Sequence, residues 1–262
     1  MRITYRNHNV KEYWTSRWDE IPVDQPMENT DIYPLKYAEE MILDHNVKVL
    51  EAGCGAGRVL RYYHNQGVDI IGMDFVDVAI DKLKKADSKL KVEVGDITKL
   101  RYKDRSFKYI LAFGLYHNLE HKLDKAIQET YRVLESGGSV CASFRADNIQ
   151  TRLVDWLTEY RVGERDRLAK CTFHKMNLTH SEFRQVFEQE GFIVDVIIPV
   201  ENMPILYKFP FFRVSCHKEF NENIARSEGY RLTWFGSLLQ NMLMRFFPKQ
   251  FCNIYVMIAH KA

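Results

Sequence analysis

The chain has 262 residues, 46% hydrophobic and 27% charged, with a formal net charge of +2. That length holds one α/β domain with sizeable insertions, and near-neutrality argues against the one-signed patch of a nucleic-acid-binding surface. Its five cysteines form no C-x-x-C pair, no apolar leader opens it, and no apolar run is long enough to span a bilayer, so a reduced, cytoplasmic protein is expected.

Residues 1–34 are aromatic and polar, broken by Pro22, Pro26 and Pro34, with a short helix predicted over "KEYWTSRWDEI". A second follows in "YPLKYAEEMILDH". From Val47 the rhythm changes to short apolar strands alternating with amphipathic helices. "VKVLEAG", "VDIIGMDF", "KVEVGDI", "FKYILAFG" and "SVCASF" read as strands. "AGRVLRYYHNQG", "VDVAIDKLKKA" and "LDKAIQETYRVLESGG" read as the helices between them, the last with Leu123, Ile127, Tyr131 and Leu134 inward and Gly137 as its stop. Such alternation makes βαβ units, hence a parallel sheet with helices on both faces. Further on, residues 148–170 are predicted helical. "LTHSEFRQVFEQEGF" is a helix with Thr179 as N-cap, Glu182 completing a capping box and Gly191 after its end. "FIVDVIIPVE" and "CNIYVMIAHKA" are two closing strands. No repeat or linker divides the chain, so 1–262 is read as one domain. Residues 1–34 are then a lid, 35–145 the ligand-binding core, and 146–178 and 202–250 insertions that cap it.

In parallel sheets ligands bind beyond the carboxyl ends of the strands, which marks the segments after Gly53, Asp74, Asp96, Gly114 and Phe144. "VLEAGCGAGR" sets Gly53, Gly55 and Gly57 at the first strand-to-helix turn, after Glu51. The spacing is G-x-G-x-G rather than the dinucleotide G-x-G-x-x-G, which disfavours a dehydrogenase. Asp74 ends the second strand, where an acid can accept from both hydroxyls of a ribose. Asp96 ends the third, where a carboxylate can take a purine amine while Ile97 packs on the ring. One such acid is commonplace; three at consecutive strand ends form a pattern.

These motifs, with "RSFKYILAFGLYHNL" and "RVLESGGSV", resemble the successive motifs of class I S-adenosylmethionine-dependent methyltransferases over residues 35–145 and the closing strand pair. The resemblance implies a Rossmann-like, seven-stranded mixed sheet with its last strand antiparallel. It implies S-adenosylmethionine as cofactor and S-adenosylhomocysteine as product. By that likeness Glu51 approaches the cofactor's amino group, and Ala52, Gly53, Cys54 and Gly55 line its path. Asp74 and Phe75 hold the ribose, Gly95, Asp96 and Ile97 the adenine, and Phe113 and Gly114 the methionine arm.

His117 to His121 also spell H-x-x-E-H, a zinc-peptidase pattern that needs both imidazoles on one continuous helix. Here the segment starts at a strand end after Gly114, so no metal site is assigned. His117 is read instead as the residue at the donor–acceptor boundary, orienting the acceptor or taking its proton. An imidazole near its ordinary value of about 6.5 suits proton transfer from a hydroxyl. Tyr116 beside it, Trp14 and Trp18 from the lid, and Arg145 and His174 from the first insertion are the other acceptor candidates. The expected reaction is methylation of a small molecule or glycan precursor, at a hydroxyl. A nucleic-acid or protein methyltransferase and a cofactor-binding partner without turnover are the alternatives. Monomer and homodimer both fit. Residues 230–251 carry an apolar stripe (Leu232, Phe235, Leu238, Leu239, Met242, Leu243, Phe246, Phe247) flanked by Arg231, Arg245 and Lys249. The stripe suits a packed cap helix, a contact between copies, or a membrane surface or lipid-linked acceptor.

Overall fold

The computed structural model describes residues 1–6, 10–21, 26–162, 172–219 and 229–262. Period-two side-chain alternation sends each apolar strand residue to one of two cores. Leu50, Ile110 and Ala142 join one cluster, and their neighbours Val49, Leu111 and Cys141 join the other. Among the described residues the strands are β1 (Arg2–Arg6), β2 (Lys48–Ala52), β3 (Asp69–Asp74), β4 (Val92–Val94), β5 (Phe107–Ala112), β6 (Leu134–Arg145), β7 (Thr172–Asn177), β8 (Phe192–Val200) and β9 (Ile254–Lys261). Seven form one sheet in the order β4-β3-β2-β5-β6-β9-β8. β9 runs antiparallel to both neighbours, while β2 to β6 pair in parallel.

Among the described residues the helices are α1 (Val10–Glu20), α2 (Leu35–Met41), α3 (Arg58–Asn65), α4 (Asp77–Ala86), α5 (Leu123–Val133), α6 (Ile149–Val162), α7 (His180–Glu188), α8 (Trp234–Phe246) and α9 (Pro248–Phe251). The apolar stripes of α2, α3 and α4 (Leu35, Leu60, Leu83) cover one face of the sheet. Those of α5 and α7 (Ile127, Phe183, Phe187) cover the other. α7 begins as its sequence requires: the Thr179 hydroxyl accepts from the Glu182 backbone N–H, and the Glu182 carboxylate accepts from the Thr179 N–H at 2.8 Å.

Three features depart from the sequence reading. α5 ends at Val133, not near Gly137, and Leu134 already belongs to β6. The carbonyls of Arg132 and Val133 accept from Arg105 and Ser106, which draws the chain out of the helix, and a Cβ on Gly138 would lie 2.8 Å from the Lys108 carbonyl oxygen. A second, two-stranded antiparallel sheet pairs β1 with β7, joining the chain start to the first insertion. The third departure concerns the 230–251 stripe. Its helix starts only at Trp234, capped by Thr233, and Gly236 and Gln240 face inward while Phe235, Leu238, Met242, Phe246 and Phe247 are exposed. The stripe is therefore divided: these five residues are exposed, while Leu232, Leu239 and Leu243 are half-buried and Met244 of the same helix packs against a core cluster. Of the helix predicted over 148–170, the part beyond Val162 lies outside the described residues, as do residues 220–228 of the second insertion.

Candidate active site

The strand order reverses between β2 and β5, so the connections leaving their carboxyl ends diverge and open a crevice. A cavity of about 920 Å³ lies there, lined by residues that follow β2, β3, β4, β5, β6 and β8 in turn. Glu51, Gly53 and Cys54 come from β2 and its turn, Asp74 and Phe75 from β3. Gly95, Asp96 and Ile97 come from the end of β4, and Phe113 and Gly114 from β5. Ala52 is fully buried within β2 and Gly55 is behind the wall, so neither lines the cavity. Gly55 acts through its backbone. Its φ of +51° lets the N–H reach Asp74 Oδ2 at 2.9 Å, and a Cβ there would lie 2.4 Å from the Trp18 ring.

The acids differ in state. Asp74 accepts from the Gly55 and Val76 N–H groups, each at 2.9 Å, which opposes the rise that burial imposes on its carboxyl. Asp96 is exposed, and its Oδ1 accepts from the Thr98 N–H and hydroxyl at 2.8 Å. Glu51 is the outlier. Burial pushes it up to about 8, against the attraction of Arg58, and its Oε2 has no hydrogen-bond partner. A buried carboxyl in that condition fits a ligand that brings a cation to it. The Cys54 thiol beside it is pushed far up by desolvation and by Asp74 and Glu51, so it is neutral and no nucleophile.

The acceptor end is cationic. His117 sits in a single 3-10 turn, Tyr116–Asn118, with its ring edge-on to Phe144 at 6.1 Å. Burial and the charges of Arg145, Lys175 and His174 hold it well below its ordinary value. His117 is thereby a weaker base than the ordinary imidazole expected from the sequence, and its buried Nδ1 has no hydrogen-bond partner. His121 lies beyond the turn, exposed beside Glu120, so the two imidazoles share no helical face. Among the described residues no cluster of three or more His, Cys, Asp and Glu side chains could hold a metal ion.

Tyr116 is also corrected. It is fully buried, its hydroxyl paired with Thr130 at 2.7 Å and its ring against Phe187, away from the cavity. The turn rotates Tyr116 into the core and His117 to the cavity wall. Arg145, Trp14 and Trp18 do line the cavity, the two tryptophans stacked at 5.5 Å. His174 stands outside the wall, its ring edge-on to Tyr13 at 6.3 Å.

Among the wall residues that sequence reasoning missed, three take part in hydrogen bonds that shape the site. Tyr33 shares a 2.8 Å hydrogen bond with the Ser143 hydroxyl, which also accepts from the Gly114 N–H at 2.8 Å, fixing the end of β5. Glu201 follows β8, is pushed up to about 7 by burial, and accepts from the Gln240 amide at 2.7 Å. The strand-end rule finds Ser143 and Glu201 once it is applied to β6 and β8; nothing in the sequence singles out Tyr33.

Residues 50–142 match the family described as Methyltransferase domain. An S-adenosyl-L-methionine-dependent Diels-Alderase of Talaromyces variabilis is 25% identical over 241 residues, covering 83% of this chain and 80% of its own length. A demethylmenaquinone methyltransferase of Paenarthrobacter aurescens is 33% identical over 92 residues, 35% of this chain and 36% of that protein. The chain thus spans little more than a third of that relative. Among solved structures, a SAM-dependent methyltransferase from Methanosarcina mazei superposes with a TM-score of 0.58 at 17% identity, covering 88% of this chain and 98% of that one. At that identity the likeness is one of fold.

Proposed function

We propose that the chain is a class I S-adenosylmethionine-dependent methyltransferase and that it methylates a small molecule at an acidic hydroxyl, a phenol or enol; the methyltransferase-domain match over residues 50–142 and the shared fold support the reading. The observation that supports the acceptor reading is that Arg145 lines the cavity together with His117, with the charges of Arg145, Lys175 and His174 acting on the imidazole. Burial does most to keep this imidazole neutral and would raise the pKa of a hydroxyl lodged beside it, whereas the charges of Arg145, Lys175 and His174 act the other way and favour the hydroxyl's anion. Such an acceptor ionises without a strong base, and His117 has only to orient it.

The residues present fit the cofactor. Glu51 would hold its ammonium, Asp74 the ribose hydroxyls, Asp96 and Ile97 the adenine, with Phe113 and Gly114 beside the methionine arm. When bound, S-adenosylmethionine supplies an electrophilic methyl group on a sulfonium. The chain supplies alignment and exclusion of water: Tyr33 and Ser143 fix the β5 end, and Trp14 and Trp18 close the cavity from the N-terminal side. Residues 1–34 are thus proposed as the lid, and the two insertions as the acceptor cap.

The test is incubation with methyl-labelled cofactor and a panel of phenols, enols and quinols. Label in an O-methyl product, slowed at least tenfold in His117→Ala with cofactor affinity unchanged, is expected. No label in any acceptor and no S-adenosylhomocysteine would refute the proposal. A second reading has one observation in its favour: the Talaromyces relative matches across 83% of the chain. In that reading the cationic cavity polarises a substrate carbonyl for cycloaddition, and substrate is consumed while no S-adenosylhomocysteine forms.

A further inference from the structure

α8 turns two faces in different directions. Inward, Gly236 packs on Phe212, and Gln240 is buried with its amide donating to Glu201 Oε2 at 2.7 Å. Outward, Trp234 is 80% exposed, Phe246 64%, Phe235 54%, Met242 50% and Leu238 46%, at the three- and four-residue spacing that puts them on one side. Phe211, 80% exposed, continues the surface: its ring meets Phe212 at 5.2 Å, and Phe212 stacks on Phe235 at 6.3 Å. So many large wet side chains together are uncommon on a monomer that docks on nothing.

The surrounding charge says what covers them. Residues 202–218 and 229–262 contain no Asp or Glu, although the whole chain is nearly neutral; the described acids that border them are Glu201, turned inward to Gln240, and Glu219. The same stretches carry Lys208, Arg213, Lys218, Arg231, Arg245 and Lys249. Two copies meeting by this face about a two-fold axis would bring one basic rim against another. An anionic surface would instead neutralise the rim while taking up the aromatic side chains.

We propose that α8 and the Phe211 turn dock this protein onto an anionic lipid bilayer, with Trp234, Phe235 and Phe246 immersed in the headgroup region and Arg245 and Lys249 on lipid phosphates. A helix of this kind lies in the interface plane and does not cross it. Among the described residues no helix is long and apolar enough to span. Gly229, Tyr230 and Arg231, just ahead of α8, also line the large cavity. Docking therefore turns that end of the cavity toward the lipid, where a membrane-dissolved acceptor would enter. That consequence rests on the methyl-transfer reading; the docking does not.

Co-sedimentation of the full chain with vesicles tests it. Phosphatidylcholine vesicles carrying about 30% phosphatidylglycerol should pull the protein down and blue-shift its tryptophan emission, and phosphatidylcholine alone should do so far less. Trp234→Ser with Phe246→Ser should lose binding at least tenfold, while far-UV circular dichroism and cofactor affinity stay unchanged. Arg245→Gln with Lys249→Gln should weaken binding about tenfold and remove most of its dependence on phosphatidylglycerol. Protein left in the supernatant with both vesicle types, or equal binding by the Trp234/Phe246 variant, overturns the proposal. So does a stable dimer in sedimentation equilibrium that the same variant dissociates, since that assigns the face to a second copy.

Discussion

At the residue scale the cavity is governed by one carboxyl. Glu51 is raised from 4.5 to about 8 because desolvation outweighs its backbone hydrogen bond and the attraction of Arg58. Its folded value lies above its unfolded one, so the stability it contributes is present in full below about pH 4.5 and is lost as the pH rises through 8. Glu51→Gln should therefore stabilise the ligand-free protein by on the order of 4 kcal/mol at pH 8 and change little below pH 4.5. Thermal unfolding across that range measures it, and an equal shift at all pH values would contradict it. The same variant should bind S-adenosylhomocysteine more weakly. Wild-type affinity should fall as the pH drops below 8, by up to tenfold per unit, because binding requires Glu51 to give up its proton. Calorimetry in buffers of different ionisation enthalpy reads that proton release. The strand-end acids were legible because their positions follow from the topology alone. The state of Glu51, the depressed His117 and the inward Tyr116 were not, since each depends on what lies across the fold from it.

At the element scale the N-terminal segment is held at two points. Arg2 on β1 donates to Asp147 at 2.7 Å and Asp155 at 2.6 Å, at the end of β6 and on α6, and Lys175 on β7 shares Asp155 at 2.8 Å. α1 lies against α4, where the Lys82 ammonium donates to the Trp18 and Asp19 carbonyls. Arg2→Ala leaves Asp147 with Arg152 and Asp155 with Lys175, so the loss should be moderate, about 1–3 kcal/mol. Limited proteolysis should then cut ahead of α1 much faster than in the wild type, and unchanged cleavage would show that the strand pairing alone holds the segment. Gly55→Ala tests the second point. The left-handed φ costs about 1–2 kcal/mol and the new methyl collides with the Trp18 ring, so α1 must shift. A red shift of tryptophan emission and at least tenfold weaker cofactor binding are expected; unchanged emission would mean that Trp18 does not rest on the turn. The capping box of α7 was legible because it is local chemistry. The β1–β7 pairing was not, although "RITYR" alternates, because a five-residue strand says nothing of a partner about 170 positions away. The end of α5 was hidden for a similar reason, being set by Arg105 and Ser106.

At the scale of the whole molecule, two apolar cores flank a mixed sheet whose reversal of strand order leaves one crevice, and the chain lines it from every connection that ends there. The alternation of short strands and helices carried that architecture in the sequence. What it could not carry was the orientation of the insertions, since an amphipathic stripe reports two faces without saying which is outward. The α8 stripe shows this: its eight apolar residues were identified, and five of them point to solvent. The central claim is that the strand ends form one cradle for an adenosyl group. A crystal structure of the complex with S-adenosylhomocysteine tests it most directly. The ligand's ammonium should contact Glu51, its ribose Asp74 and its adenine Asp96 and Ile97, with the sulfur facing His117. A ligand lodged elsewhere, or these acids left without contact to it, would contradict the account.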